Sequence, residues 1–135
     1  MVTLRISDLY DQGGLAFDLR DILRVLAPHS LRATWTLGLS EEGFWAIGEG
    51  AEALEELAER SGQIGGAELL AIADALSQVV WGDFTGTLPD NPLEEWVTIR
   101  AIDSSYYEIS TSDDAVVAKI MSRFDKVELV DTARI

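Results

Sequence analysis

Few side chains in this sequence have the chemistry that catalysis or metal binding requires. Its 135 residues include no cysteine and one histidine, His29. The absence of cysteine excludes disulfides, thiolate catalysis and cysteine-ligated zinc, and a single histidine excludes a histidine-rich metal site. His29 could be a general base, but it follows Pro28 at the predicted end of a helix, where the dipole favours a cation. A structural role for His29 is therefore favoured.

Two segments contain part of a ligand-binding pattern. A calcium loop alternates acidic residues around a glycine and adds a distant glutamate, and residues 8–14 lack the third ligand and that glutamate. The glycines of segment 62–66 are followed by neither lysine nor Ser/Thr, unlike those of a phosphate-binding loop. We therefore expect no metal and no cofactor. The acids Asp8, Asp11, Asp18 and Asp21 fit helix capping better, and the glycines fit turns.

A pair of carboxylates is the remaining catalytic possibility. Asp83 and Asp103 both lie near predicted strand ends, and two carboxylates can act as general acid and base. Tyr106 and His29 could contribute to such a site, although no Gly-x-Ser-x-Gly nucleophile motif is present. A small-molecule enzyme with a carboxylate-based site near Asp83 and Asp103 is the alternative function. The preferred hypothesis is a protein without catalysis.

Negative charge is concentrated in the middle of the chain. The formal net charge is −14, and residues 41–100 contain 13 acidic residues against Arg60 and Arg100. Nucleic acids and anionic lipids are polyanions, so binding to nucleic acid or to a membrane is disfavoured. A basic partner, or simple solubility, is favoured.

The candidate binding residues are a stripe of glutamates and two tryptophans. Spacings of three and four residues place Glu52, Glu55, Glu56 and Glu59 on one side of a predicted helix over 49–60. The stripe is either a solvated helix face or a binding face for a cationic partner. Trp45 and Trp96 lie on strand faces that are either exposed or covered by helices, and exposed aromatic residues are typical of interfaces.

These features favour a small cytoplasmic protein-binding module, either inhibitor-like or self-associating, that uses an acidic face. Acidic inhibitors and immunity proteins of nucleases share this charge and size, but no motif supports that comparison. The expected partner is a basic protein or, in a homodimer, a second copy joined through Trp96, Thr98, Arg100 and Ile102. A nucleic-acid mimic ranks last, because Lys119, Arg123 and Lys126 would interrupt a row of carboxylates.

Location is inferred from what the sequence lacks. The lack of cysteine is typical of a reducing compartment. No apolar run follows Arg5 as it would in a signal peptide, and no stretch approaches the roughly 20 apolar residues of a membrane-spanning helix. We therefore expect a cytoplasmic protein that is not inserted in a membrane.

Residue periodicity predicts α+β architecture in a single acidic domain over 1–135. We expect a mostly antiparallel sheet of about six to seven strands, with about four helices packed on one face. The predicted strands are 2–6, 31–39, 44–47, 81–88, 96–102, 106–111 and 126–131, and the predicted helices are 15–26, 49–60, 67–79 and one capped by Ser112. Strands 31–39 and 44–47 are predicted to form a hairpin, 106–131 to add a parallel strand pair, and 132–135 to fray.

Overall fold

The computed structural model describes residues 1–130, which form eight strands and five helices. The strands are β1 (Val2–Ile6), β2 (Thr34–Gly38), β3 (Trp45–Gly48), β4 (Gln63–Gly65), β5 (Leu76–Thr87), β6 (Val97–Ile102), β7 (Tyr106–Thr111) and β8 (Val127–Val130). The helices are α1 (Leu19–Val25), α2 (His29–Arg32), α3 (Ala51–Glu59), α4 (Gly66–Ala75) and α5 (Asp114–Arg123). The predicted fraying of 132–135 lies outside the described residues.

All the strands belong to one antiparallel sheet, which confirms the predicted fold class. The strand order is β4-β2-β5-β6-β7-β1-β8, and β3 pairs with β5 beside this path. The predicted parallel pair within 106–131 is wrong. The amino-terminal strand β1 lies between β7 and β8 and pairs antiparallel with both, so the two strands joined by α5 never meet.

The predicted hairpin of residues 31–47 is also wrong. Both strands pair with β5 instead, β2 along residues 83–87 and β3 along residues 76–81. This is possible because β5 has 12 residues and begins at Leu76, within the predicted helix 67–79. A long central strand therefore offers β2 and β3 successive stretches of one partner.

Several element ends differ from the prediction because side chains cap the helices. Helix α1 begins at Leu19 rather than at residue 15, since Asp18 is its N-cap. Asp113, not Ser112, caps α5, and its Oδ1 accepts a hydrogen bond from the amide of Ala115. Met121 on α5 is 52% exposed.

The two faces of the sheet have different surroundings. Side chains on the face that we call the core face are fully buried, among them Leu4, Leu37, Phe84, Ile99 and Ile109. The helices pack against this face: the indole N–H of Trp35 donates to the carbonyl of Ser30 in α2, and the hydroxyl of Tyr107 donates to Asp18 at the start of α1. The predicted placement of helices on one face is consistent with these contacts. None of the helices in residues 1–130 is long and apolar enough to cross a membrane.

Helix α4 begins where the backbone of α2 leaves no room for a side chain. A β-carbon added at Gly66 would overlap the carbonyl oxygen of Ser30 and would lie 2.8 Å from the Cα of Leu31. That same carbonyl accepts the Trp35 indole N–H at 2.9 Å. The contact between α2, α4 and β2 thus depends on glycine at position 66.

We therefore expect Gly66→Ala to destabilise the protein by about 2–3 kcal/mol, because backbone must move to relieve the overlap. Gly65→Ala is the matched control, since a β-carbon there meets nothing within 4 Å. It should cost about 1 kcal/mol or less, the usual loss when a favourable N-cap residue becomes alanine. Urea unfolding of both variants measures the difference. Equal losses would contradict the close packing of α2 on α4.

Candidate functional site

The sheet face opposite the helices, which we call the open face, has a row of alternating charge. Strand register places Asp83, Arg100, Glu108, Arg5 and Glu128 side by side on five neighbouring strands. Arg5 Nη2 lies 3.0 Å from Glu108 Oε2, and Arg100 Nε lies 3.8 Å from Asp83 Oδ2. Because opposite charges alternate, this row neutralises most of its own charge.

A row of hydroxyl side chains lies beside the charged row on the open face. Thr36, Thr85, Thr98, Ser110 and Thr3 occupy successive register positions. Thr3 and Ser110 share a 2.7 Å hydrogen bond, and Thr85 and Thr98 share one of 3.3 Å. These short side chains satisfy one another, which favours a structural role for this row.

The predicted pair of Asp83 and Asp103 is not assembled as two neighbouring carboxylates. Asp83 pairs with Arg100, three residues before Asp103, and three residues of strand span about 10 Å. Asp103 lies exposed in the turn between β6 and β7, with a positive φ of 51°. Burial raises the pKa of Asp83, and Arg100 partly offsets this. Asp83 is therefore a half-buried partner of Arg100.

Trp96, a predicted binding residue, lies largely within the fold. Its side chain is 9% exposed, and its indole N–H donates to Asp113 Oδ2 at 3.0 Å. The ring centroid lies 6.2 Å from those of both His29 and Trp35. Thr98 is buried as well. The predicted two-fold contact comprises Trp96, Thr98, Arg100 and Ile102. Two of these four residues are therefore buried and offer little surface to a second copy.

The glutamate stripe lies on α3, and the opposite side of this helix is buried. Ala51, Leu54, Leu57 and Ala58 are buried in α3, while Glu52, Glu56 and Glu59 are exposed and Glu55 is half-buried. Within residues 1–130, none of these glutamates forms an ion pair. The stripe faces solvent on the side of α3 that points away from the core.

Strand β3 has two exposed apolar side chains on one of its faces. Trp45 is 54% exposed and Ile47 is 45% exposed, whereas Ala46 between them is buried, as alternation along a strand requires. Trp45 pairs with the half-buried Trp81 of β5. We call Trp45, Ile47 and Trp81 the β3 patch. Glu41, Glu42 and Glu49, which flank β3 in the sequence, are all exposed, and we call them the acidic rim.

The predicted binding residues therefore belong to different surfaces. Helix α3 packs on β2 and β3, and its buried residues share the core with Ala46. The β3 patch points from the opposite face of β3, and Trp96 is interior. Of the residues predicted from sequence, Trp45 alone combines aromatic character with high exposure.

The acidic segment near the amino terminus caps backbone amides. Asp8 accepts from the amides of Asp125 and Lys126 at 2.9 and 2.6 Å, and Asp21 accepts from the amide of Asp18 at 2.9 Å. Across the described residues, no group of three or more His, Asp or Glu side chains could hold a metal ion. No family model, curated protein or solved structure matches this chain.

The two tryptophans predicted for binding should differ in their effect on stability. We expect Trp96→Phe to cost about 1–3 kcal/mol, because it removes a hydrogen bond to a carboxylate. Trp45→Phe should change stability by less than about 0.5 kcal/mol, as is usual for an exposed site. Urea unfolding at neutral pH gives both values, and a larger loss for Trp45→Phe would contradict this assignment.

The loss caused by Trp96→Phe should also depend on pH. The Trp96 hydrogen bond is the main cause that lowers the pKa of Asp113 from its usual 3.8. A lowered folded-state pKa contributes stability above 3.8 that is lost as the pH falls through the folded value. The difference between Trp96→Phe and wild type should therefore shrink in acid, and a difference that grows there would contradict the bond.

Proposed function

We propose that this chain is a non-catalytic, inhibitor-like protein-binding module that binds a basic protein through the β3 patch and its acidic rim. The main observation is an indole that is 54% exposed on a strand next to three exposed glutamates. The proposal includes a cytoplasmic location and excludes nucleic acid as the partner. The absence of cysteine supports the first and the net charge of −14 supports the second.

The apolar centre supports a protein partner. Tryptophan is enriched at the energetic centre of protein interfaces, where a rigid ring removes a large apolar area from water. Trp45 and Ile47 point to the same side of β3, and Trp81 extends the apolar surface onto β5. This arrangement gives a contact centre with an acidic boundary, the usual organisation of an interface.

The surrounding charge supports a cationic partner. The exposed Glu41, Glu42 and Glu49 flank β3 in the sequence, and the α3 glutamates add negative charge on the helix that packs on the other face of β3. Such a field accelerates association with a positively charged surface and repels a second copy of the chain. Self-association through the patch would therefore count against the proposal, and the test below detects it.

Site-specific photo-cross-linking in the source cells tests the proposal. A photoreactive amino acid at position 45 should give one dominant adduct with a basic protein, because this position lies in the contact centre. The same residue at position 121 is the matched control, since Met121 is 52% exposed and lies on α5. Mass spectrometry identifies each adduct.

Charge variants then separate the two acidic surfaces. Replacing Glu41, Glu42 and Glu49 with glutamine should weaken the position-45 adduct more than replacing Glu52, Glu55, Glu56 and Glu59. High salt should weaken the adduct in wild type. An adduct with an acidic protein or with a second copy, the same adduct at position 121, or no adduct at position 45 would each overturn the proposal.

A further inference from the structure

Strand β8 forms one edge of the sheet. Among the described residues it pairs with β1 alone, so its other side is free. Ser7 on the β1 side donates its amide N–H to the carbonyl of Lys126 at 3.0 Å. Because hydrogen-bonded and non-hydrogen-bonded pairs alternate along antiparallel strands, the backbone groups of Glu128 point to β1, and those of Val127 and Leu129 point outward. This edge therefore offers donors and acceptors to one more strand.

An apolar row on the core face ends at this edge. Strand register places six apolar side chains side by side on six neighbouring strands: Leu37, Phe84, Ile99, Ile109, Leu4 and Leu129. The first five are fully buried, whereas Leu129 is 69% exposed. The five inner strands each have a neighbour on both sides, and β8 has a neighbour on one side only. A further apolar side chain beside Leu129 would continue the row.

The charge near β8 allows a second copy of the chain to approach. Residues 114–130, which contain α5 and β8, include three acidic and three basic residues and so have no net charge. Residues 41–100, which contain β3 and the opposite edge strand β4, have 13 acidic residues against two basic ones. Two copies therefore repel each other through that end of the sheet and meet little repulsion at β8. Glu128 on the open face of β8 lies beside Arg5, which partly offsets its charge.

We propose that this chain forms a two-fold homodimer in which β8 pairs antiparallel with β8 of a second copy and Leu129 lies opposite its own symmetry mate. A two-fold axis makes the edge complementary to itself. With the axis at Leu129, the two residues exchange both backbone hydrogen bonds, because their N–H and C=O groups point outward. The two leucines then join the apolar rows of the two copies into one.

The other two-fold registers of β8 fit less well. An axis at Glu128 would place two carboxylates directly opposite each other, which destabilises a strand pair. An axis at Val127 would place Leu129 opposite Asp125 and leave the apolar row unfinished. Leu129 is therefore the centre of the contact.

The dimer contact is distinct from the β3 patch. Three strands separate β8 from β5, the strand with which β3 pairs. The inference therefore does not rest on the proposed function, and each copy in the dimer keeps its own patch free.

Sedimentation equilibrium tests for the dimer. The wild-type mass should rise from that of one chain to that of two between micromolar and submillimolar concentration. Leu129→Arg should weaken association about tenfold or more, because it places two like charges opposite each other. Leu93→Arg is the matched control and should associate as wild type does, since Leu93 is 98% exposed in the loop between β5 and β6.

Cysteine cross-linking gives a second readout that does not depend on the folding of Leu129→Arg. The chain contains no cysteine, so one introduced thiol can bond only to the same thiol of another copy. The Cα atoms of a hydrogen-bonded strand pair are about 5.5 Å apart, within the range of about 4.4–6.8 Å that a disulfide spans. Under a mild oxidant, Leu129→Cys should form covalent dimers at least about tenfold faster than Leu93→Cys, because the effective concentration within the dimer is higher than in solution.

Val127→Cys tests the register. With the axis at Leu129, the two Val127 positions are separated by about 13 Å along the strands, so this variant should cross-link as slowly as Leu93→Cys. The proposal is overturned if wild type stays monomeric at submillimolar concentration, if Leu129→Arg associates as wild type does, or if Leu93→Arg loses association as well. It is also overturned if Leu129→Cys cross-links no faster than either control. Since no residue of the β3 patch is altered, these outcomes leave the position-45 adduct unaffected.

Discussion

The carboxylate of Asp18 joins the helical layer to the sheet. One oxygen accepts from Tyr107 on β7 and from Val79 on β5, two strands that are separated by β6, while the residue itself caps α1. Burial and the neighbouring Asp18 raise the pKa of Tyr107, so its hydroxyl stays protonated and remains a donor. These two bonds tie the start of α1 to the core face of the sheet.

Covering one face of the sheet leaves the other to interact with solvent and partners. On the open face Arg5 pairs with Glu108 across strands and the hydroxyls share hydrogen bonds, whereas the buried Oδ1 of Asp83 has no hydrogen-bond partner among the described residues. On β3, Trp45 and Ile47 remain exposed, and exposed glutamates flank the strand in the sequence. Three of the 13 acidic residues of segment 41–100 lie in the segments that flank β3 in the sequence.

The elements that were predicted correctly depend mainly on residues that are close together in the sequence. The buried side of α3 and the strands β1, β6 and β7 could be predicted from periodicity. Apolar residues recur every three to four positions along the helix and at every second position along the strands. The hairpin prediction failed because β5, far along the chain, pairs with both β2 and β3. Trp96 could not be placed from sequence, since its indole binds Asp113, 17 residues away. Asp18 was recognised as a cap, but its bond to Tyr107 spans 89 residues and carries no sequence signal.

The central claim is that helices cover one face of the sheet and leave Trp45 outside. Hydrogen–deuterium exchange of the four indole N–H groups, followed by nuclear magnetic resonance on dilute protein, tests it most directly. The N–H groups of Trp35 and Trp96, bonded to Ser30 and Asp113, should exchange slowly, and that of Trp45 should exchange as fast as a free indole. Fast exchange at Trp96, or protection of Trp45 in the dilute protein, would contradict the account.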